Sequence, residues 1–450
     1  MSENKLFKDL NTPLPADIEM YKLSGEFDKA IELIDKLLVS DLSDTSLKNS
    51  LILQREIINR LPLDYELSFN DAFNIVRKEI PDFKKEELKK YMDEKRFSWI
   101  FKNHEPYIFN RFYGCLLNYE DFRCRLKDNV EIPVEETARN KLVKRIKKDK
   151  YIEQKIKITH TIRVKDEFFK KGMNVTVHLP VPKGCDHQKD IVIERCSDNG
   201  VIGDENYTYR TICFKETMEE NHPFFVTYSY TSFYNYKDLS LYKEEKCDVK
   251  DYLNEKYPHI VFTDHLRSLC AEIIKSCKND LEKARAIYDY ITLNMNYAFQ
   301  PHYFVRDNIP EYTTTNFRGD CGFFALTFVT LCRIAGIPAY FESGTAVYAD
   351  EVGGHDWARF YIKSLGWLYA DPSYGIGSRM NHDEESRDYF FGNLDHERMV
   401  ANSDYMPVFE IEKKHFSNDP TDNQLGEIET DERGLQSFEY EYSIVRVNND

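Results

Sequence analysis

Residues 318–345 read RGDCGFFALTFVTLCRIAGIPAYFESGT, and residues 353–375 read GGHDWARFYIKSLGWLYADPSYG. In the first stretch Cys321, Ala325, Phe328, Cys332 and Ala335 recur at helical spacing, so one face of an amphipathic helix is in view. Asp320 reads as its N-cap, and Gly336 followed by Pro338 reads as its stop. Cys321 then falls in the first turn, where unpaired N–H groups and the helix dipole favour a thiolate over a thiol. Read alone, a free cysteine is more often a small buried apolar residue. Cys332, deeper in the same helix and without a cap beside it, is expected to be that case.

In the second stretch Ala358, Phe360 and Ile362 alternate on one face after His355. A short turn spans Lys363 to Gly366, and WLYAD ends at Asp371-Pro372. This pattern predicts a hairpin, so the start of its first strand lies near the end of its second. His355 and Asp371 are therefore expected to meet at the open end. Each has a bland reading as well: a polar residue opening a strand, and an Asp-Pro turn starter. Their coincidence with a cysteine at a helix start favours a nucleophile, a base and an orienting acid. An amide carbonyl resists attack, and such a set divides the task into acylation of sulfur and transfer from the thioester. The imidazole exchanges the proton, the carboxylate fixes its tautomer, and the tetrahedral oxyanion needs preorganised donors.

Taken with KARAIYDYITLNMNYAF at 283–299, these motifs resemble the core of the transglutaminase-like superfamily, most closely its bacterial members, over roughly Asp280 to Asn393. The resemblance implies an α+β, papain-like core with Cys321 as nucleophile, His355 as general base and acid, and Asp371 as the residue that orients the imidazole. Some relatives stabilise the oxyanion with an indole N–H ahead of the nucleophile, but here no Trp lies between Trp99 and Cys321. Tyr297 is the candidate donor beside the Cys321 backbone N–H. The implied activity is cysteine-dependent acyl transfer or hydrolysis on a glutamine side chain or a peptide bond. A primary amine acceptor gives cross-linking, and water gives deamidation or proteolysis. A catalytically silent scaffold presenting a peptide groove is the alternative, and the presence of all three residues counts against it. A peptide N-glycanase-like amidase would need paired cysteines for zinc, and the chain has no CxxC.

With 450 residues the chain is long enough for two or three domains. Its net charge of −16 argues against a nucleic-acid surface. The basic run KLVKRIKKDK at 141–150 reads as a solvated helix face or a linker. Neither an apolar signal segment nor a run long enough to span a membrane is evident, so a cytoplasmic protein without membrane contact is expected. The ten cysteines lack the spacing of a structural zinc site or a disulfide framework. Gly375 and Gly377 lack the setting of a dinucleotide loop, and His382 to Glu385 reads as a solvated loop. No cofactor and no metal are expected. Cys321 is expected to be the only activated thiol. The expected partners are a protein or peptide substrate and, for transfer, a primary amine acceptor; oligomeric state is not legible.

Along the chain, residues 1–125 read as a helical region, and Met20, Leu23, Phe27, Ile31, Ile34 and Leu38 form a stripe with Gly25 between two short helices. Residues 126–150 read as a charged linker or helix. Period-two alternation at Ile156, Ile158 and Ile162, then Val175, Val177 and Leu179, predicts a small β-sandwich at 151–240. The core is expected at 251–412 and a C-terminal β-hairpin at 413–450. Because the core motifs lie beyond Asp280, the helical region is expected to limit substrate entry rather than support the chemistry.

Overall fold

The computed structural model describes residues 6–127, 133–348, 351–406, 408–418, 421–422 and 424–447. Two units emerge from the backbone contacts. The first joins Met1–Pro133 with Glu255–Thr263 and Asn294–Phe323; the second joins Val134–Asn254 with Asp264–Leu293 and Phe324–Asp450. The segment expected as the core therefore contributes to both.

The first unit opens with helices Ala16–Ser24 and Phe27–Leu38, joined at Gly25 with φ 76°. A Cβ at Gly25 would stand 2.1 Å from the Phe101 carbonyl oxygen, so both conformation and approach require glycine there. The expected stripe is half right. Ile34 is buried with Ile18 and Ala30, whereas Met20 and Leu23 face solvent. Leu51 and Ile58 of helix Thr45–Asp64 complete this cluster and select the Ile18 face.

An all-helical segment up to residue 125 is not what forms. Leu67–Ser68, Trp99–Lys102 and Glu105–Ile108 make a three-stranded antiparallel sheet with the last in the middle. The turn between its two longer strands is Asn103-His104, with φ 50° and 69°. Two successive positive φ values are the requirement of a primed turn, whose twist matches a hairpin. Phe97, Phe109 and Phe112 are buried with Phe73 and Phe83 in one core that also takes in Ala298. The aromatic stretch from Phe97 to Tyr119 is thus largely core, with Trp99 and Phe101 left at the surface.

In the second unit the basic run forms helix Ala138–Asp149, not a linker. Val143 and Ile146 are buried, and Asn140 Nδ2 donates to Asp383 Oδ1 at 2.9 Å. Asp383 itself caps helix Glu384–Tyr389, so the expected solvated loop is partly structural.

Two four-stranded antiparallel sheets follow. One runs Glu427–Thr430, Met173–Pro180, Thr211–Met218, Val201–Ile202; the other runs Glu439–Val447, Tyr151–Arg163, Phe224–Asn235, Gln188–Cys196. Ile156, Ile158 and Ile162 from one, and Val175, Val177 and Leu179 from the other, bury into a single cluster. Each such side chain contributes roughly 1.5–3 kcal/mol on burial. The tail is not a hairpin: Glu427–Thr430 pairs with Met173–Pro180 and Glu439–Val447 with Tyr151–Arg163, in different sheets. Each tail strand buries its apolar side on a sheet edge, which a two-stranded ribbon by itself could not do.

The remaining sheet carries the hairpin read from sequence. Helix α1 (Cys321–Ile334) is followed by β1 (Ala339–Tyr348), β2 (Glu351–Ile362) and β3 (Gly366–Ala370), then β4 (Phe391–Gly392) and β5 (Arg398–Asn402). The strand order is β4-β3-β2-β1-β5. Phe328 of α1 packs on Phe360 of β2 with ring centroids 5.5 Å apart. Cys332 is fully buried, and burial pushes its thiol well above the usual range, as its inert reading requires.

Candidate active site

Cys321 is half-buried at the first position of α1. The two residues before Asp320, Arg318–Gly319, form a short strand parallel to Asn296–Tyr297, with Tyr297 opposite Gly319. Backbone bonds from Asn296 N to Phe317 O at 3.0 Å and from Ala298 N to Gly319 O at 2.8 Å extend this ladder. Asp320 Oδ1 accepts from Phe323 N at 3.4 Å, which is the N-cap expected. The same oxygen accepts from the Tyr303 hydroxyl at 2.5 Å, and that hydroxyl accepts from Gly322 N at 3.1 Å. Burial pushes the Asp320 carboxyl up to about 6, against the lowering effect of Tyr303 and of the Phe323 N–H. Tyr303 therefore joins the cap to an N–H of the first turn of α1, a role no local pattern signals.

The N-terminal region supports this strand directly. The buried Arg318 donates to the Lys95 carbonyl, to Tyr312 Oη at 2.8 Å and to Ser98 Oγ at 3.4 Å. Cys115 Sγ donates to the Phe299 carbonyl at 3.6 Å, and a Cβ on Gly114 would meet the Phe299 ring at 2.8 Å. Residues 1–125 therefore do not form a separate layer but share one core with the segment 294–323. They complete the core on which the segment leading to Cys321 rests.

In the second unit the hairpin register pairs Ala358 with Ala370 and Ile362 with Gly366. His355 lies further along β2, opposite Gly344 of β1. It does not open the strand, which begins at Glu351. His355 Nε2 and Asp371 Oδ2 are 2.8 Å apart, and the two side chains are 8% and 0% exposed. Asp371 also caps helix Pro372–Met380: its Oδ1 accepts from Tyr374 N at 2.9 Å and from Ser373 Oγ at 3.0 Å. One carboxylate thus both faces His355 and caps the helix that follows the Asp-Pro turn.

Arg398 is the residue the sequence did not single out. Fully buried on β5, it reaches Asp371 Oδ2 and Asp395 Oδ2, each at 3.0 Å. Its guanidinium lies 4.0 Å from the Tyr374 ring centroid, and that ring lies 4.7 Å from the His355 ring. Burial works to raise the Asp371 carboxyl, but the charges of His355 and Arg398 and the bonds from His355 and Ser373 outweigh it and hold it low. Burial lowers His355 and prevails over Asp371, so the imidazole favours its neutral form. Nε2 is the ring nitrogen that faces the carboxylate.

Of the expected residues, His355 and Asp371 are brought together within the second unit, and Cys321 belongs to the first. Tyr297 stands on the strand paired with Arg318–Gly319, its ring 5.5 Å from that of Phe299. No helix among the described residues is long and apolar enough to cross a membrane.

Residues 267–372 match the model of the transglutaminase-like superfamily, an interval holding Cys321, His355 and Asp371. A Cytophaga hutchinsonii structure described as a candidate cysteine protease is similar at 17% identity and TM-score 0.44, over 67% of this chain and 94% of that one. The periplasmic domain of TgpA from Pseudomonas aeruginosa is similar at 14% identity and TM-score 0.29, over 51% of this chain and 92% of that one. No curated protein matches the chain. The protein mixes helix and sheet, and it carries a transglutaminase-like domain over residues 267–372.

Proposed function

We propose that this protein is a cysteine-dependent acyltransferase or amidohydrolase acting on a glutamine side chain or a peptide bond. Cys321 is the nucleophile, His355 the general base and then acid, and Asp371 the group that orients the imidazole. The observation that carries this reading is the buried His355–Asp371 pair at 2.8 Å, in the same matched interval as a cysteine at a helix start.

His355 Nδ1 takes the proton of the Cys321 thiol as sulfur attacks the amide carbonyl. The oxyanion is met by the Cys321 backbone N–H at the start of α1, with Tyr297 as the proposed side-chain donor. Collapse expels the amine, which takes the proton from His355 and leaves a thioester on Cys321. A primary amine or water, deprotonated by His355, then attacks the thioester and releases the thiol. Asp371 holds the Nε2–H tautomer throughout and stabilises the transient imidazolium.

The two sheets sharing one apolar core are read as the expected β-sandwich, and residues 251–412 as the catalytic core. None of the described cysteines forms a disulfide, which suits a reducing cytoplasm. A peptide or protein is the proposed substrate. The test is intact-mass spectrometry after an electrophilic glutamine-amide probe, with and without an added primary amine. A thioester adduct mapping to Cys321, and absent in Cys321→Ala, supports the reading; no adduct at Cys321 on the folded protein overturns it. Amine incorporation against simple release separates transfer from hydrolysis.

A further inference from the structure

A cysteine–histidine pair lies outside the matched interval, in the turn that leads into strand Gln188–Cys196. Cys185 bridges Gln188 in antiparallel fashion, which folds Cys185, Asp186 and His187 into a tight turn. Cys185 Sγ stands 3.7 Å from His187 Nδ1. The same nitrogen is 2.7 Å from the Tyr369 hydroxyl, which donates to Asp186 Oδ1 at 3.2 Å. Arg359 grips both oxygens of Asp186, at 2.7 and 2.8 Å. Cys185 is half-buried, while the Asp186 side chain, 60% exposed, opens the turn to solvent.

His187 is 2% exposed, and its Nε2 finds no hydrogen-bond partner among the described residues. Leaving that atom unpaired costs about 1–3 kcal/mol. Charge balance argues against a bound metal ion. The Asp186 and Glu342 carboxylates stand against Arg359 and Lys183, with Glu342 Oε1 3.6 Å from Arg359 Nη1. These four formal charges already cancel, and a divalent cation would sit beside the guanidinium that occupies Asp186. Burial works against the His187 imidazolium, but Cys185 and Asp186 outweigh it and hold the ring up at about 10.

We propose that Cys185 is a thiol modification site, at which sulfur, its proton passed to His187, exchanges with a small-molecule disulfide. The Cys185 sulfur attacks one sulfur of the disulfide as the old S–S bond breaks. A new Cys185 mixed disulfide forms, and the departing thiolate takes the proton back from His187. This goes beyond the Cys321 reading and does not rest on it, and it replaces the expectation of a single activated thiol. The site is wired to the hairpin, because Arg359 and Tyr369 lie on β2 and β3, the strands that carry His355 and lead to Asp371.

The test uses the full chain with Cys321→Ala, so that no reaction there competes, treated with oxidised glutathione near pH 7 and mapped by mass spectrometry. Cys185 should form the first mixed disulfide, at least about tenfold faster than the exposed Cys124 or the half-buried Cys196 and Cys277. His187→Asn should bring the Cys185 rate down to that of those controls. Should that variant fail to fold, the comparison with the three control thiols decides alone, and any of them reacting as fast as Cys185 overturns the proposal. Stoichiometric zinc uptake, lost in Cys185→Ser and with no mixed disulfide formed, would make the turn a metal site and also overturn it.

Discussion

Arg398 stands 3.0 Å from Asp371, with both side chains fully buried, so the carboxylate that faces His355 is fixed from behind by a guanidinium. Asp371→Asn removes the charge that both partners use. Turnover of the amide probe should fall by about 10³–10⁴, because the favoured imidazole tautomer changes. Stability should fall by about 3 kcal/mol, because Arg398 keeps only Asp395 as a carboxylate partner. Thermal melting and probe kinetics check both, and unchanged turnover in a folded variant would remove Asp371 from the site.

The pH dependence has a definite sign. The folded state keeps His355 neutral below its usual 6.5, where the unfolded imidazole already binds a proton. Its contribution to stability is therefore present above pH 6.5 and is lost as pH falls through the lowered folded value. Asp371, lowered from 3.8, adds a contribution that disappears on further acidification. The acid limb of the pH–rate profile should accordingly fall below 6.5. A limb at or above 6.5 would contradict a buried neutral base.

Tyr303→Phe deletes the hydroxyl that joins Asp320 to Gly322. The expected loss is about 1 kcal/mol of stability. Asp320 also loses a bond that lowers it, so its titration should move above about 6. Carbon-13 NMR of the labelled carboxyl reads the shift directly, and an unmoved titration would deny the contact.

Removing residues 1–125 should abolish labelling of Cys321 even by a small probe, because Arg318 loses Lys95 and Ser98 and Phe299 loses Gly114 and Cys115. Iodoacetamide mapping on a monodisperse truncation measures this. Normal labelling there would restore the view that the region only selects substrates.

Gly344 pairs with His355, and a Cβ on it would fall 1.8 Å from the Met399 carbonyl oxygen. Backbone on both strands must move, so Gly344→Ala should cost about 3 kcal/mol or fail to fold. A Cβ on Gly353 of β2 would meet nothing within 4 Å among the described residues, and Gly353→Ala should stay within about 0.5 kcal/mol of the parent. Equal denaturation midpoints for the two variants would refute the close β1–β5 approach.

The sequence by itself determined what local periodicity and turn chemistry can carry. The helix opening at Cys321 with Asp320 as its cap, and the hairpin that ends at Asp371, are set by neighbours a few residues apart. A short turn fixes register, and register brings His355 to Asp371. The alternation at Ile156, Ile158 and Ile162 likewise names the buried face of its strand. Tertiary structure alone decided the rest, because pairing of distant backbone edges leaves no mark in local spacing. Arg398 reads as an ordinary strand residue until β5 pairs with β1, which brings a buried cation to Asp371. The tail strands could have paired with each other, yet open edges on two sheets offered each more apolar surface to cover. The place of Asn294–Phe323 in the core of the N-terminal region follows from aromatic packing and from Arg318, not from any motif.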